Sequence, residues 1–392
     1  MNDNVRRIQS SKRTTIYSIG CVMRKKKHML VPFQPMAFSS ITNFVRILKA
    51  NGFRFSPRYF HRILYVLSMN IITGPMRILE KRLYRNRVAE TPINQDPIFI
   101  IGHWRTGTTF LHYLMTQDNQ WGFLSNYDTS AVTFSIVGRK IFKPIFSLGL
   151  PEKRPMDNIP VDLNMPQEEE FALGNLTSCS FCYVWYFPQR AEAYFNRACQ
   201  FAGMGPEEIR LWKAAYLYLV KKTTLQWDMK TLLLKNPINT GRIEALLDLF
   251  PNAKFIYLHR NPYEVFLSTV RTYRDLIGLM GFQKISLAQI SRNVLSFYPH
   301  LIEKFLSNKH RIPAGNIVYV SYEDLVGDPL HQLKRIYSGL SLPGYPASLR
   351  MFQPYLETFR GYKAHPYTID KHTKELVDTH WRQTYEKERL LG

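Results

Sequence analysis

The chain has 392 residues, of which 45% are hydrophobic and 21% charged. This composition excludes a peptide-sized module and a chain disordered over most of its length, and it predicts one large globular domain with an appendage, or two domains. The formal charge of +22 predicts an anionic partner, such as a nucleic acid, a lipid headgroup or a phosphorylated small molecule.

The positive charge is concentrated at the N-terminus. Residues 1–90 contain 18 Lys and Arg against three Asp and Glu, so the other 302 residues carry a net charge of only +7. Residues 1–30 have the composition of a basic arm, and residues 41–87 have helical apolar spacing with a basic rim. We therefore expect a basic helical extension over residues 1–90 and a main domain over residues 91–392. The extension either lies on an anionic membrane surface or caps the main domain with a solvated face.

No segment has the pattern of a secretion signal or of a membrane span. The longest uncharged apolar run, residues 63–76, is shorter than the roughly 20 residues that a spanning helix needs. We expect a cytoplasmic protein, either without membrane contact or attached peripherally to the inner membrane face through residues 1–90.

A strand, a glycine loop and a helix follow the extension. Residues 98–101 are apolar, residues 102–109 read Gly-His-Trp-Arg-Thr-Gly-Thr-Thr, and residues 110–115 have helical spacing. The two glycines have the spacing of a P-loop, whose backbone amides surround a phosphate.

Later segments repeat the alternation of strand and helix. We expect strands over residues 231–234, 255–258 and 317–320, and helices over residues 241–250 and 262–273. This alternation predicts an α/β fold with a parallel sheet flanked by helices. Residues 121–230 are less regular and predict a substrate-facing insertion with a helix over residues 207–222.

Three cations end strands or lie in the loop. Arg105, Lys235 and Arg260 should converge because the carboxyl ends of parallel strands face one crevice. Thr108 stands where ATP and GTP hydrolases carry a lysine, and no predicted strand ends in the Asp that binds magnesium. Cys179 and Cys182 make only half of a zinc site, so no metal is expected.

These residues resemble the sulfotransferases that use 3′-phosphoadenosine 5′-phosphosulfate as donor. Residues 100–109 resemble their 5′-phosphosulfate loop, and residues 255–262 with Ser268 resemble their 3′-phosphate site. The sequences Tyr-Glu-Asp-Leu at 322–325 and Lys-x-His-x-Tyr at 363–367 also recur in the bacterial-type branch. The resemblance covers about residues 97–375 and leaves out the first 90.

The resemblance implies a P-loop-like fold, the phosphosulfate donor as co-substrate, and no metal. Arg105 replaces the loop lysine of many members and would stabilise charge on the bridging oxygen, while Lys235 would reach the sulfuryl oxygens. The residues implied to bind the donor are Arg105, Thr106, Gly107, Thr108, Thr109, Arg260 and Ser268.

The general base is a further prediction. The resemblance implies that the cytosolic members use a histidine just after the strand that corresponds to the one ending at Lys235, whereas other branches use glutamate. This chain has Asn236 there. Residues 154–157 and 166–171 resemble the acidic motif of the bacterial-type branch, which makes Glu168 the predicted base, Glu170 the second candidate and His103 a third. Two alternatives without a catalytic role stay open. The glutamates could interact only with the dipole of the helix that they begin, and His103 could only form a hydrogen bond with the backbone.

The acceptor is predicted from apolar residues in the insertion. They line either an apolar pocket for a sterol-like or lipid-like alcohol, or the core. These residues are Phe134, Ile136, Phe142, Phe146, Phe181, Tyr183, Trp185, Tyr186 and Phe187. We expect a sulfotransferase that acts on a hydrophobic small molecule. The alternatives are a P-loop ATP-dependent kinase and a non-enzymatic binder of anionic membranes or nucleic acids. For the sulfotransferase, no nucleic-acid partner is expected.

Overall fold

A computed structural model describes residues 34–148, 162–358 and 367–391. The predicted basic arm, the part of the acidic motif at residues 154–157, and Lys363 and His365 lie outside these ranges.

A parallel β-sheet lies at the centre of the fold. Its four strands, in the described part of the chain, have the order β2-β1-β3-β4 and all pair in parallel. The strands are β1 (Ile98–Gly102), β2 (Leu233–Lys235), β3 (Lys254–His259) and β4 (Ile317–Ser321). Every residue of β1 and β2 is buried, which explains why these strands read as continuous apolar runs and not as alternating ones. The predicted α/β fold with a parallel sheet is confirmed.

Helices cover the sheet. Those before β2 are α1 (Ile41–Ala50), α2 (Phe60–Ile72), α3 (Gly74–Glu90), α4 (Thr108–Met115), α5 (Asn126–Ser130), α6 (Arg139–Leu148), α7 (Glu169–Leu176), α8 (Tyr183–Tyr186), α9 (Ala191–Gln200) and α10 (Pro206–Gln226). Those after β2 are α11 (Ile243–Leu249), α12 (Pro262–Met280), α13 (Leu287–Asn308), α14 (Tyr322–Gly327), α15 (Pro329–Gly339), α16 (Tyr345–Thr358) and α17 (Lys371–Arg389).

The N-terminal helices share the main hydrophobic core. Phe44 and Ile47 of α1 and Ile63 and Val66 of α2 are at most 3% exposed and belong to the cluster that packs on the sheet. Within the range 41–87 that is predicted to be helical, α1, α2 and α3 form, and residues 51–59 connect α1 to α2 without α-helix. The boundary that we place at residue 90 stays a prediction.

The insertion over residues 121–230 contains α5 to α10. The sequence predicts that the apolar residues of this insertion line a pocket or fill the core. Five of them are at most 2% exposed and lie in the main core: Phe181, Tyr183, Trp185, Tyr186 and Phe187. Phe142 and Phe146 of α6 are only half-buried, against a smaller cluster around Phe134. In the described ranges, no helix combines the length and the apolar character that crossing a bilayer would require.

Candidate active site

The loop between β1 and α4 is held tightly by its neighbours. Gly102 and Gly107 have φ of +130° and +92°, in the region that L side chains rarely adopt. A Cβ at Gly102 would lie 2.2 Å from the Leu258 carbonyl oxygen, and one at Gly107 would lie 2.4 Å from the Tyr322 ring. The Thr106 hydroxyl donates to the His103 carbonyl at 2.8 Å. Only glycine fits these positions, and the loop leads directly into α4. The first amides of a helix have no partner within the helix and can bind an anion.

The second predicted cluster meets this loop. The Nε of Arg105 donates to the Ser268 hydroxyl at 2.9 Å, and Nη1 of Arg260 donates to the Arg105 carbonyl at 3.2 Å. The Arg260 guanidinium lies 4.0 Å above the Tyr322 ring and pairs with Glu264. Residues separated by more than 150 positions in the sequence thus form one cationic cluster beside the glycine loop.

Local sequence explains the position of Arg260. It follows β3 directly, and Asn261 begins α12 by accepting a hydrogen bond from the Tyr263 amide at 3.0 Å. Pro262 occupies the first turn, where its missing N–H costs nothing. Ser268 lies on the same helix and is buried.

Lys235 connects the loop to a carboxylate. Its Nζ donates to the Thr109 hydroxyl at 3.3 Å and to Oε1 of Glu168 at 2.6 Å. The Lys235 side chain is 3% exposed and that of Glu168 15%. Glu168 is the residue that precedes α7, and its side chain accepts no capping hydrogen bond from that helix. Its carboxylate therefore faces Lys235 and does not cap the helix.

The next two glutamates point into the protein. Glu170 accepts from Arg242, Asn236 and the Phe181 amide. Burial raises the pKa of Glu170, but the charge and hydrogen bonds of Arg242, with those of the other donors, outweigh it and bring the pKa below its usual value. Glu169 accepts from Tyr216 and Asn239, and burial raises its pKa to about 7. Of the three carboxylates, Glu168 is the one that forms an ion pair with Lys235.

His103 is buried in an aromatic environment. Its Nδ1 donates to the Trp104 carbonyl at 2.9 Å, and its ring packs against Tyr298 and Trp381. Burial lowers its pKa to about 4, so the imidazole is neutral at pH 7. Its other ring nitrogen is buried and has no hydrogen-bond partner among the described residues. This is the backbone-bonded arrangement that the sequence left open as an alternative to catalysis.

Tyr322 is a site residue to which the sequence assigns no role. It packs on both Gly107 and Arg260 and so joins the two clusters. The signal that could have identified it is its place immediately after β4, at the same edge of the sheet as Lys235 and Arg260.

Among the described residues, no group of three or more His, Cys, Asp or Glu side chains could hold a metal ion. Cys179 and Cys182 are buried free thiols, and burial raises the pKa of each. The chemistry that this arrangement supports is the binding of an anion at two places: at the loop and α4, and at Arg260 and Ser268. A cation and a carboxylate lie beside the first place.

The chain is similar to known proteins over most of its length. A family described as "Sulfotransferase family" matches residues 97–347. An omega-hydroxy-beta-dihydromenaquinone-9 sulfotransferase, Stf3, of Mycobacterium tuberculosis is 31% identical over 343 residues, which are 88% of this chain and 88% of that protein. The protein of the same name from Mycobacterium bovis gives the same values.

Two solved structures share the fold. The sulfotransferase STF9 from Mycobacterium avium has a TM-score of 0.64 at 17% identity and covers 92% of this chain and 98% of its own. The sulfotransferase STF1 from Mycobacterium tuberculosis has a TM-score of 0.56 at 16% identity, with coverage of 88% and 100%.

Proposed function

The chain belongs to the sulfotransferase family, and we propose that it transfers a sulfuryl group from 3′-phosphoadenosine 5′-phosphosulfate to the hydroxyl of a hydrophobic small molecule. Because the family is established, the ATP-dependent kinase and the non-enzymatic binder are set aside. The choice of donor rests on one observation: Arg105 of the glycine loop contacts both Ser268 and Arg260.

The two anion sites fit the two ends of such a donor. The backbone amides of residues 106–109 and the hydroxyls of Thr108 and Thr109 would hold the 5′-phosphosulfate. The two glycines let this loop pack directly against the Leu258 carbonyl and the Tyr322 ring. Arg260 and Ser268 would hold the 3′-phosphate through a guanidinium and a hydroxyl. The donor supplies an activated sulfuryl group whose leaving oxygen belongs to a phosphate.

Lys235 and Arg105 would stabilise the negative charge that develops during transfer. Lys235 is buried and lies 3.3 Å from Thr109, so its ammonium acts in surroundings where a charge is weakly screened. Arg105 lies in the loop itself, where its guanidinium would stabilise the negative charge that builds up on the bridging oxygen. Both cations would therefore stabilise the phosphate that leaves during transfer more than they stabilise the intact donor.

Glu168 would accept the proton of the acceptor. The hydroxyl oxygen attacks sulfur, the bond between sulfur and the bridging oxygen breaks, and the hydroxyl proton passes to a Glu168 oxygen. The products are a sulfate ester and adenosine 3′,5′-bisphosphate. The contact of 2.6 Å with Lys235 supports this role because the ammonium offsets the repulsion between the carboxylate and the anionic donor.

The acceptor class is proposed from the relative and from the apolar surface of this chain. The name of the 31% identical relative states that it acts on an omega-hydroxylated menaquinone, a lipid-like alcohol. In this chain Phe142 and Phe146 on α6 remain half-buried near the segment that leads to Glu168. We therefore favour a lipid or sterol alcohol over a polyanionic sugar, and a cytoplasmic protein with peripheral membrane contact.

A transfer screen with sulfur-labelled donor tests this proposal. The full chain would be incubated with isoprenoid quinols, sterols, long-chain alcohols, phenols and sugars, and labelled esters would be separated by chromatography. We expect label on hydrophobic alcohols, with inhibition by adenosine 3′,5′-bisphosphate. Label on sugars alone would refute the acceptor class, and a chain that neither transfers label nor binds adenosine 3′,5′-bisphosphate would refute the donor.

A further inference from the structure

The outward side of α2 and α3 is apolar although it faces solvent. Phe60, Leu64, Ile71 and Ile72 of α2 are 48–62% exposed, and Ile78, Leu79 and Leu83 of α3 are 44–58% exposed. We call these seven residues the α2–α3 face. Single exposed apolar side chains are ordinary, but seven on consecutive helices indicate a surface that contacts something apolar.

Each helix has a second, inward side, so this face is not needed for folding. Ile63 and Val66 of α2 enter the main core, and Glu80 of α3 forms a buried ion pair with Lys222 of α10. Helix α2 is therefore apolar on two sides, whereas the outer side of a helix on a protein surface is normally polar.

Exposed basic side chains of α3 lie beside and between the apolar residues of the α2–α3 face, and we call them its basic rim. Residues 41–90 contain ten Lys and Arg against two Glu, and one of those Glu is the buried Glu80. Lys81, Arg82 and Arg85 are exposed and form no ion pair within the described ranges. An apolar strip with this rim matches a bilayer surface that carries anionic headgroups, since basic side chains near such a surface are attracted to its anionic lipids.

The helices are suited to lie on a bilayer surface. With 13 and 17 residues, α2 and α3 are about 20 Å and about 25 Å long, below the thickness of the hydrocarbon region. An apolar side with a basic border is the arrangement of an interfacial helix. A second copy of the chain fits this surface less well, because a symmetric contact would place one basic rim against another.

Helix α3 is connected through α6 to the segment that carries Glu168, the proposed base. The Glu80 carboxylate accepts from the amides of Ile136 and Val137, which lead into α6. On α6, Ile141 and Ile145 are 52% and 54% exposed.

From α6 the contacts continue to the catalytic carboxylate. Lys143 of α6 bonds Asn164, and the Gln167 amide next to Glu168 donates to the Leu124 carbonyl at 2.8 Å. Phe142 and Phe146 of α6 pack in one cluster with Met76 of α3 and with Leu163 of the segment that leads to Glu168.

We propose that the α2–α3 face, extended by Ile141 and Ile145, docks the protein on an anionic membrane surface and places the acceptor side of the active site at the bilayer. The purpose of docking rests on the proposed function, because docking would give the enzyme access to a hydrophobic acceptor in the membrane. The docking itself rests only on exposure and charge.

Co-sedimentation of the full chain with vesicles tests the docking. The vesicles would contain phosphatidylcholine alone, or phosphatidylcholine with phosphatidylglycerol. We expect binding to the second kind, and weaker binding at high salt. The combined variant Ile71→Glu with Ile78→Glu should bind roughly tenfold or more weakly for each substitution, because a fully buried Ile side chain contributes about 1.5–3 kcal/mol.

Leu211→Glu on α10 is the matched control, because Leu211 is 55% exposed but lies outside the α2–α3 face. It should bind vesicles as the unmodified chain does. Equal vesicle binding by the combined variant, or no binding by the unmodified chain, would overturn the proposal. If the unmodified chain self-associates but does not bind vesicles, and the combined variant no longer self-associates, the face contacts a second copy of the chain. That result would also overturn the proposal.

Donor binding separates this inference from the proposed function. The combined variant should bind adenosine 3′,5′-bisphosphate like the unmodified chain, since none of the changed residues touches that site. Its turnover should fall when a lipid alcohol is presented in anionic vesicles and stay unchanged when the same acceptor is presented in detergent. Equal turnover in vesicles would contradict delivery from the membrane, whereas absent turnover in every format would contradict the proposed function instead.

Discussion

The substitution Glu168→Gln separates the proposed base from the donor site. It keeps the shape of the side chain and an oxygen that can accept from Lys235, but it removes the negative charge and the ability to take a proton. A positioned general base typically contributes a factor of about 10² to 10⁴, so we expect turnover to fall by about that much. Affinity for adenosine 3′,5′-bisphosphate should stay within about threefold, because Glu168 contacts Lys235 and not the glycine loop.

The same substitution has a predictable effect on stability. Lys235 is 3% exposed and would keep its charge without an ionic partner. Breaking a buried pair by removing one partner costs about 3–5 kcal/mol. The retained hydrogen bond and the 15% exposure of Glu168 reduce this, so we expect a loss of about 1–3 kcal/mol in the free energy of unfolding.

Single-turnover transfer of labelled sulfate, titration with adenosine 3′,5′-bisphosphate and urea unfolding measure the three effects. Glu208→Gln is the control, because Glu208 pairs with Arg197 on the surface and its loss should change stability by less than about 1 kcal/mol. Glu168→Gln with full turnover would remove Glu168 as the base. A parallel loss of nucleotide affinity would show that the residue acts on donor binding instead.

Two further predictions concern the interior and the loop. Glu169 has a folded pKa raised by burial to about 7, against about 4.5 when unfolded, so the folded chain holds the extra proton and stability falls as pH rises between these values. In Glu169→Gln this decline, measured by urea unfolding from pH 4.5 to 7, should be shallower by up to about 1.4 kcal/mol per pH unit; an unchanged slope would contradict the burial argument. Gly107→Ala should weaken nucleotide binding and cost more stability than Gly203→Ala. Both glycines have positive φ, but only the first would meet the Tyr322 ring, and Gly203 has nothing within 4 Å. Equal effects in unfolding and titration would show that the contact with Tyr322 does not matter.

The parts of the site that are local in sequence could be predicted without a structure. The strand, the glycines and the start of α4 lie within 18 residues, 98–115, and Arg260 and Pro262 lie at a strand end followed by a helix start. Parallel strands place such ends at one edge, which is why Arg105 and Arg260 could be expected to meet. The proximity of the two segments follows from that topology, whereas the hydrogen bond from Arg260 to the Arg105 carbonyl depends on the direction of the side chain.

Contacts that depend on side-chain packing could not be predicted. Glu168 immediately precedes α7, and Glu169 and Glu170 are its first two residues. Only the direction of each side chain decides that Glu168 meets Lys235 while Glu170 meets Arg242. His103 likewise lies in the loop by sequence but packs in the core by structure. A loop position does not determine which way a side chain turns.

Apolar composition was ambiguous in two places. Aromatic residues such as Trp185 and Phe187 could line a pocket or fill the core, and the structure places them in the core. The amphipathic pattern of residues 41–87 did not reveal that Phe44 and Val66 are part of the same core as the sheet. Removing residues 1–90 would therefore expose that core, and point substitutions on the outer face are the better test of membrane contact.

The central claim is that the glycine loop and the Arg260 cluster hold opposite ends of one nucleotide. Calorimetric titration of adenosine 3′,5′-bisphosphate into the unmodified chain, Arg260→Ala and Arg274→Ala tests it most directly. Arg274 lies on the same helix but is exposed and pairs with Asp275. The account predicts that Arg260→Ala weakens binding by about 1.5–3 kcal/mol, the contribution of a hydrogen bond to a charged group, and that Arg274→Ala does not. Equal affinities for all three proteins would contradict the claim.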